Sequence, residues 1–305
     1  MNAELSKKTL VILVTFNGMK WLEGVLQPFE EAEGFDVWAR DNGSSDGSYS
    51  FIQGHPAVVH CEKGENLGFG RANNLGMEFA LNQGYGFVFL LNQDALILPD
   101  ALAKLQAAGS VQSKHEVLCP VQLNWDGAGA NFAFDRYYAP QWKSATGPFT
   151  VDFVNAAAWF MSTEVVQLVG GFNPLFFMYG EDRDWALRLN LLGGKFRVLP
   201  SVICRHDSSN QQKKKRPMSE ILASKIYALE MAHCLFNAAS HKDWARGFAR
   251  RAIGRSLHRK QWFNTLLLRT LKAERHAFMR IDFERHDIES LRTSAKTPPA
   301  FLMKP

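Results

Sequence analysis

The sequence has few cysteines and no long uncharged apolar run. Its four cysteines among 305 residues are Cys61, Cys119, Cys204 and Cys234, and none form a CxxC pair. This spacing fits neither a zinc knuckle nor a small disulfide scaffold, so we expect reduced thiols in a cytoplasmic protein. No apolar stretch reaches the roughly 18 residues that a membrane-spanning helix needs. The short apolar stretch at residues 10–16 lacks a signal-peptide cleavage site and is predicted to be a buried strand.

The net charge of +5 is unevenly distributed between two parts of the chain. Residues 1–212 contain 15 Lys and Arg against 22 Asp and Glu, whereas residues 213–305 contain 20 against 8. An acidic body and a basic tail indicate different roles. We therefore predict an α/β domain over residues 1–212 and a basic helical extension over residues 213–305.

Strand and helix signals alternate along the acidic body. Predicted strands lie at 9–16, 35–40, 57–60, 86–92, 117–123, 151–161, 195–200 and 202–207, and predicted helices lie near 21–26, 69–81, 163–169 and 181–194. The glycine- and aromatic-rich stretch that ends at residue 150 is left unassigned. Strands separated by helices at this spacing predict right-handed βαβ units and a doubly wound, mostly parallel sheet.

Polar motifs follow three of the predicted strands, at residues 15–17 (TFN), 41–47 (DNGSSDG) and 92–94 (NQD). In an open α/β sheet, ligands bind beyond the carboxyl ends of the strands. Each motif alone is also explained as a turn or a helix cap. Their convergence on one edge of the sheet predicts a binding cleft there. His206 follows a further strand, and with Asp94 across the cleft it can form a divalent-metal site.

A glycine-containing segment, residues 66–74 (NLGFGRANN), precedes a predicted helix. Glycines at the start of a helix let backbone N–H groups approach phosphate oxygens, and Arg71 can add a charge-assisted hydrogen bond. Asn73 stands where a dinucleotide-binding fingerprint requires Gly or Ala, and no strong strand directly precedes the segment. These departures disfavour a nicotinamide-dependent dehydrogenase.

Three carboxylates within residues 181–184 begin another predicted helix. Capping and complementation of the helix dipole explain part of this density. Helical spacing points Asp182 inward and lets Asp184 pair with Arg188 one turn later. An inward carboxylate aimed at a cleft is a candidate general base.

Several blocks of the sequence resemble family 2 glycosyltransferases, and most closely their rhamnosyltransferase-like branch that builds bacterial surface polysaccharides. They are TLVILVTFNG, DNGSSDG, ENLGFGRANNLG, LLNQDA and the long block over residues 151–210. The resemblance runs in order over about residues 9–210 and does not cover the tail. It implies a GT-A fold with a C-terminal helical extension, a nucleotide-diphosphate sugar donor, a saccharide or lipid-linked saccharide acceptor, and inversion of the anomeric centre.

The resemblance also implies roles for individual residues. Asp41 would read the edge of the base, Arg71 would face the diphosphate, and Asp182 would take the proton from the acceptor hydroxyl. Asp94 and His206 would hold Mg²⁺ or Mn²⁺ bridging the phosphates. The residues expected to bind the nucleotide sugar are Thr15, Asn17, Asp41, Asn66, Gly70, Arg71, Asn73, Gln93, Asp94 and Ala157.

Elementary chemistry agrees with these roles, because negative charge grows on the departing diphosphate and a cation stabilises it. The sequence departs from the family pattern at Asn92, which replaces the first Asp of the DxD motif. It departs again at Ala156-Ala157, where the family usually has Gly-Ala, and at Ser162-Thr163, where it usually has an Arg pair. The base and sugar of the donor are left open between thymidine-, uridine- and guanosine-linked compounds.

Two other functions are weighed against sugar transfer. A sugar nucleotidyltransferase needs a glycine-rich, arginine-containing loop directly after the first strand, and TFNGMKW lacks it. A non-catalytic domain that binds nucleotide or saccharide is favoured by Asn92. It is disfavoured by the joint presence of Asp94, Asp182 and His206.

The basic tail has several interpretations. It can be a solvated helical face, a peripheral contact with the anionic inner face of the cell membrane, or a pairing surface for a second subunit. Basic residues at 250, 251, 255, 259 and 260 interleave with apolar ones at 248, 253, 257, 262 and 263, which suits an interfacial helix. No nucleic-acid-binding motif accompanies the charge, so no nucleic-acid partner is expected.

Overall fold

The computed structural model describes residues 8–110, 115–207, 226–227, 244–248, 250–252, 275, 277–279 and 281. Most of the predicted basic extension therefore lies outside the described residues. Within the described part of the chain, no helix combines the length and apolarity needed to cross a bilayer.

A nine-stranded sheet forms the centre of the fold. Its strands are β1 (Thr9–Thr15), β2 (Phe35–Asp41), β3 (Val58–Lys63), β4 (Phe87–Asn92), β5 (Ala95–Ile97), β6 (Glu116–Asn124), β7 (Phe149–Val151), β8 (Ala158–Ser162) and β9 (Lys195–His206). Their order is β3-β2-β1-β4-β8-β6-β9-β5, and β7 pairs with β9. Strands β3, β2, β1 and β4 are parallel, as are β6 and β9, whereas β5, β7 and β8 run antiparallel to their neighbours. The predicted mostly parallel α/β sheet is confirmed.

Helices cover both faces of this sheet. They are α1 (Met19–Leu26), α2 (Ser48–Gly54), α3 (Gly68–Gln83), α4 (Pro99–Ser110), α5 (Phe132–Ser144), α6 (Thr163–Val169) and α7 (Glu181–Leu191). Strand β1 alternates between two cores, because Leu10 and Ile12 pack into one cluster and Val11 and Leu13 into the other. Helices α1 and α4 bury their apolar faces in the second cluster, and α3, α6 and α7 in the first. The result is the three-layered, doubly wound arrangement that alternating strand and helix signals predict.

The predicted single strand over residues 151–161 is wrong. Strand β7 ends at Val151 and β8 begins at Ala158, and residues 152–157 form a loop between them. Val154 is fully buried in this loop, and its carbonyl accepts a hydrogen bond from the Trp159 indole. The apolar run thus reflects a loop with buried apolar side chains as well as a strand.

The two strands predicted at 195–200 and 202–207 form one strand, β9. Its register against β6 shifts between Leu199, which pairs with Pro120, and Ile203, which pairs with Val121. The irregularity falls around Pro200, which supplies no N–H group for the ladder. The sequence pattern anticipated neither β5 nor helices α2 and α4, and the unassigned stretch contains α5.

Part of the basic extension contacts the α/β domain. Tyr227 is buried, and its ring lies 4.9 Å from the ring of Phe176, edge to face. Within the extension, Trp244 and Phe248 pack against each other, and Phe248 is only 8% exposed. Phe248 is therefore buried, whereas the membrane interpretation of the sequence pattern would place it on a lipid-facing surface.

Candidate active site

The carboxyl ends of β1 and β2 meet at a network of side chains from the predicted cleft. Asp41 is fully buried, and its Oδ1 accepts hydrogen bonds from the N–H groups of Gly43 at 3.0 Å and Ser44 at 2.8 Å. Its Oδ2 is buried without a hydrogen-bond partner in the described structure. Since a buried carboxylate oxygen is costly to leave unpaired, this atom is suited to accept a hydrogen bond from a ligand.

Asn17 joins the turn after β1 to the turn after β2. Its backbone adopts a φ of +49°, and its N–H donates to the Ser44 hydroxyl at 2.8 Å. Its Oδ1 accepts the N–H of Ser45 at 3.0 Å. Asn17 therefore holds the shape of the DNGSSDG turn.

Gln93 links the end of β4 to the end of β1. Its Oε1 accepts hydrogen bonds from the Thr15 hydroxyl at 2.7 Å and from the Phe16 N–H at 2.8 Å. A Cβ at position 18 would overlap both Gln93 and Thr15, so Gly18 allows this approach. Three of the predicted nucleotide-binding residues, Thr15, Asn17 and Gln93, thus lie together around the same edge of the sheet.

Asp94 and His206 are brought together by the antiparallel pairing of β5 and β9. Ala95 lies opposite His206 in this register, and the imidazole Nε2 is 3.4 Å from Asp94 Oδ1. His206 is 4% exposed, and neither ring nitrogen makes a hydrogen bond in the part of the chain that the structure describes. A carboxylate and a buried imidazole with free nitrogens are a donor pair that a divalent cation can use.

Asp207 fastens this pair to the rest of the fold. Its N–H donates to the Asp94 carbonyl at 2.9 Å. Its carboxylate accepts the Trp21 indole N–H at 2.9 Å and lies 3.5 Å from the Lys20 ammonium. Asp207 was not among the predicted site residues, since its partners on α1 are distant in sequence.

The predicted phosphate-binding segment at the start of α3 makes contacts within the fold. The Asn66 Oδ1 accepts the Gly68 N–H at 2.9 Å, and Asn73 donates to the Phe69 carbonyl at 2.9 Å. Gly70 is buried, and a Cβ there would lie 2.9 Å from Cβ of Phe172. These contacts explain the residue types at 66, 70 and 73 by local structure.

Arg71 is exposed, and its Nε donates to the Pro174 carbonyl at 2.9 Å. Three residues later on α3, the side-chain amide of Asn74 donates to the Phe172 carbonyl at 2.8 Å and accepts the Phe172 N–H at 2.7 Å. Helix α3 therefore holds the loop that leads to α7. The role of Asn74 was missed in the sequence because its partner is an irregular segment far along the chain.

Helix α7 begins with the acidic cluster. Asp182 is half-buried, and its carboxylate accepts hydrogen bonds from the backbone N–H groups of Arg183 and Ala156. Burial raises the pKa of Asp182, although the Arg183 charge and these two hydrogen bonds oppose that rise. The raised pKa brings this carboxyl closer to the range in which a general base works at neutral pH.

Glu181 directly precedes Asp182 and is 5% exposed. Its Oε2 is buried and has no hydrogen-bond partner within the described residues. Burial, followed by the neighbouring carboxylates of Asp182 and Asp184, raises the pKa of Glu181 to about 8. A carboxyl with this pKa is mainly protonated at neutral pH, so we expect it to act as a hydrogen-bond donor there.

The predicted pair of Asp184 and Arg188 is present and is deeply buried, with Nε 3.0 Å from Oδ2. The two Nη atoms of Arg188 donate to the carbonyls of Val169 at 2.6 Å and Gly171 at 2.7 Å. The Trp185 indole donates to the carbonyl of Gly170 at 2.8 Å. These contacts hold the start of α7 against the end of α6.

The loop before β8 connects Asp182 with the end of β4. Ala156 donates its N–H to the Asp182 carboxylate, and the carbonyl of the next residue, Ala157, accepts the Asn92 N–H at 2.9 Å. Asn92 is two residues from Asp94, and its buried Oδ1 has no hydrogen-bond partner among the residues that the structure describes. Contacts through Ala156, Ala157 and Asn92 thus connect the candidate base to the segment that contains Asp94. No group of three or more His, Cys, Asp or Glu side chains suited to a metal occurs among the described residues.

Comparison with known proteins indicates which family this sequence resembles. The profile described as Glycosyl transferase family 2 matches residues 10–127. Two Mycobacterium tuberculosis proteins, each named N-acetylglucosaminyl-diphospho-decaprenol L-rhamnosyltransferase, are 26% identical over 281 residues, covering 81% of this chain and 89% of theirs. These matches support a family 2 glycosyltransferase. The same likeness supports its predicted place in the rhamnosyltransferase-like branch.

Solved structures show that the chain has the GT-A fold. The structure of S. aureus TarS 1–349 in complex with UDP-GlcNAc aligns with a TM-score of 0.56 at 16% identity, over 94% of this chain and 92% of that one. GalNAc-T7 with UDP, GalNAc and Mn²⁺ aligns with a TM-score of 0.53 at 13% identity, over 93% of this chain. The glycosyltransferase spans 57% of the GalNAc-T7 chain.

Proposed function

We propose that this glycosyltransferase moves a sugar from a nucleotide-diphosphate donor to a saccharide or lipid-linked saccharide, with inversion at the anomeric carbon. The proposal rests on one observation. A chain of contacts joins Asp182, at the start of α7, through Ala156 and Ala157 to Asn92, two residues before the Asp94 that lies 3.4 Å from His206.

The donor nucleotide is held by the edge formed by β1, β2 and β4. The unpaired Oδ2 of Asp41 accepts a hydrogen bond from the base, while Oδ1 stays engaged by the turn after β2. Thr15 and Gln93 fix the depth of this pocket through their mutual hydrogen bond. Arg71 offers its terminal N–H groups to the diphosphate, while its Nε donates to the Pro174 carbonyl.

Asp182 takes the proton of the acceptor hydroxyl as that oxygen attacks the anomeric carbon. A single displacement inverts the centre and needs one base on the face opposite the leaving group. Burial raises the pKa of Asp182, which increases its proton affinity during the attack. The N–H groups of Arg183 and Ala156 fix the orientation of the carboxylate.

Mg²⁺ or Mn²⁺ is the proposed cofactor, with Asp94 and His206 as its protein ligands. The bound cation supplies charge stabilisation to the departing diphosphate. The two free ring nitrogens of buried His206 fit this role, and imidazole suits Mn²⁺ better than Mg²⁺, which prefers oxygen ligands. Asn92 leaves one carboxylate at this site, so we expect weak metal affinity.

A lipid-linked saccharide is the proposed acceptor class. The two mycobacterial relatives are named for a decaprenol diphosphate-linked N-acetylglucosamine. A peripheral contact of the basic extension with anionic lipid would bring the enzyme to such an acceptor. The rhamnosyl group in the name of the relatives makes a thymidine-linked rhamnose the first donor to test.

The test measures hydrolysis of a panel of nucleotide sugars with Mn²⁺ or Mg²⁺, with and without a saccharide acceptor. We expect the rate with Asp182→Asn to fall by about 10²- to 10⁴-fold. Asp152→Asn is the control, because Asp152 is exposed and pairs at the surface with Lys195. The proposal fails if the wild type and Asp182→Asn turn over equally.

A donor panel monitored by thermal unfolding separates the two alternative functions. Stabilisation by a nucleoside diphosphate without any turnover would indicate a binding protein. Formation of a nucleotide sugar from a nucleoside triphosphate and a sugar phosphate would indicate a nucleotidyltransferase.

A further inference from the structure

Three consecutive large apolar side chains are exposed directly before the acidic start of α7. Phe177 is 55% exposed, Met178 47% and Tyr179 45%. We call residues 176–179 the apolar turn. Single exposed apolar residues are common on protein surfaces, but a contiguous exposed set marks a surface that meets another apolar partner.

The fold holds this turn in its exposed position. The carbonyl of Phe177 accepts the Phe69 N–H at 3.2 Å. Gly68 has a φ of +79°, and a Cβ there would overlap the Phe177 carbonyl. Tyr179 has a φ of +69°, a conformation that residues other than glycine rarely adopt. Such strain persists only where the surrounding structure enforces it.

The other side of the turn faces the basic extension. Phe176 is buried against Tyr227, which belongs to the extension. Residues 213–305 contain 20 basic against 8 acidic residues. Through Phe176, the apolar turn therefore contacts an extension whose sequence carries a large excess of basic residues.

This combination fits an anionic lipid surface better than a saccharide. Phe177 and Met178 carry no hydrogen-bond donor or acceptor stronger than a thioether, whereas a saccharide subsite needs polar groups that match hydroxyls. Exposed apolar side chains combined with a basic segment are a combination that binds the headgroup layer of anionic membranes. Phe248 of the extension is buried and does not serve as this wedge.

We propose that Phe177 and Met178 enter the headgroup layer of an anionic membrane and hold the mouth of the active site at its surface. The inference rests on the proposed function, in which the acceptor is lipid-linked. Asp182 follows Met178 by four residues, so the candidate base would stand at the level of the acceptor saccharide.

Vesicle binding of the full-length protein tests this inference without turnover. Cosedimentation is measured with vesicles of equal parts phosphatidylcholine and phosphatidylglycerol, and with phosphatidylcholine alone. We expect Phe177→Ser/Met178→Ser to lower the partition coefficient on anionic vesicles by about tenfold or more. Met178→Asp should lower it as well, because its charge is repelled by the lipid. This variant also retains the Phe177 side chain that packs near Gly68.

Val59→Ser is the matched control, since Val59 is 54% exposed on β3 at the far end of the sheet. Thermal unfolding shows whether each variant is folded. Unchanged vesicle binding by folded Phe177→Ser/Met178→Ser and Met178→Asp would overturn the inference. Loss of binding with Val59→Ser to the same degree would also overturn it.

The outcome is separable from the proposed function. If the wild type hydrolyses no nucleotide sugar but its vesicle binding depends on Phe177 and Met178, the proposed function fails and the membrane contact stands. If Phe177→Ser/Met178→Ser slows transfer to a soluble saccharide acceptor but leaves vesicle binding unchanged, the turn contacts sugar and the proposed membrane contact is wrong.

Discussion

His206 Nε2 lies 3.4 Å from Asp94 Oδ1, and the imidazole is buried with both nitrogens free of hydrogen bonds among the described residues. The pairing of β5 with β9 creates this contact, and Asp207 secures it through Trp21. The two side chains therefore occupy a position fixed by the backbone, which is what a metal site needs.

We expect Asp94→Asn and His206→Gln each to raise the Mn²⁺ concentration that half-maximally promotes nucleotide binding, by about tenfold or more. The measurement is the thermal shift produced by a nucleoside diphosphate across a Mn²⁺ titration, which needs no turnover. Asp100→Asn is the control, because Asp100 forms an exposed pair with Lys104 at 2.9 Å. An unchanged Mn²⁺ requirement in both variants would remove this pair from the metal site.

Asp41→Asn should weaken nucleoside diphosphate binding by about 10- to 100-fold, because the buried carboxylate has one oxygen free for the base. The dissociation constants are measured by calorimetry. Asp126→Asn provides the comparison, since Asp126 accepts the Ala128 N–H in a similar but exposed turn. Equal affinities for wild type and Asp41→Asn would show that this carboxylate only shapes its turn.

The pH dependence of the unfolding free energy should reflect the titration of Glu181. Its pKa is raised from the ordinary 4.5 to about 8, so the folded state retains a proton that the unfolded state has lost. This contribution to stability is complete below about pH 4.5 and is lost as pH rises through about 8.

Between pH 5 and pH 8, we therefore expect the unfolding free energy to fall more in the wild type than in Glu181→Gln. The difference between the two proteins should be a few kcal/mol at most. Urea unfolding at a series of pH values measures this difference. Identical pH profiles for the two proteins would contradict the raised pKa of Glu181.

Arg188→Met should destabilise the fold by about 3–5 kcal/mol, because it leaves the buried Asp184 carboxylate without its partner. It also removes the hydrogen bonds to the carbonyls of Val169 and Gly171. Arg197→Met, at a partly exposed pair with Glu116, should cost about 1 kcal/mol or less. Equal losses in urea unfolding would show that burial of the Asp184 pair has no special effect.

The sequence predicted the parts of the fold that repeat a local pattern. Strands β1, β2 and β4 are continuous apolar runs because both faces of the sheet are covered by helices. The order of strands and helices then implied a parallel sheet and a cleft at its carboxyl edge. The family resemblance, carried by residues 9–210, gave the chain its enzyme class.

Other features depend on contacts between distant segments, which periodicity does not encode. The spacing of Asp184 and Arg188 indicated an ion pair. It did not indicate that the pair is buried, nor that Arg188 also donates to the carbonyls of Val169 and Gly171 at and just beyond the end of α6. The Asp94–His206 contact requires β5, a strand of three residues that has no clear sequence signal. The apolar run over 151–161 looked like one strand because Val154, Ala156 and Ala157 of its loop are also buried.

Gly68 and the carbonyl of Phe177 approach so closely that no extra carbon fits between them. The Phe69 N–H also donates to this carbonyl, so the first turn of α3 lies in direct contact with the segment leading to Asp182. A side chain as small as that of alanine at position 68 would force these two segments apart, so the contact requires glycine there.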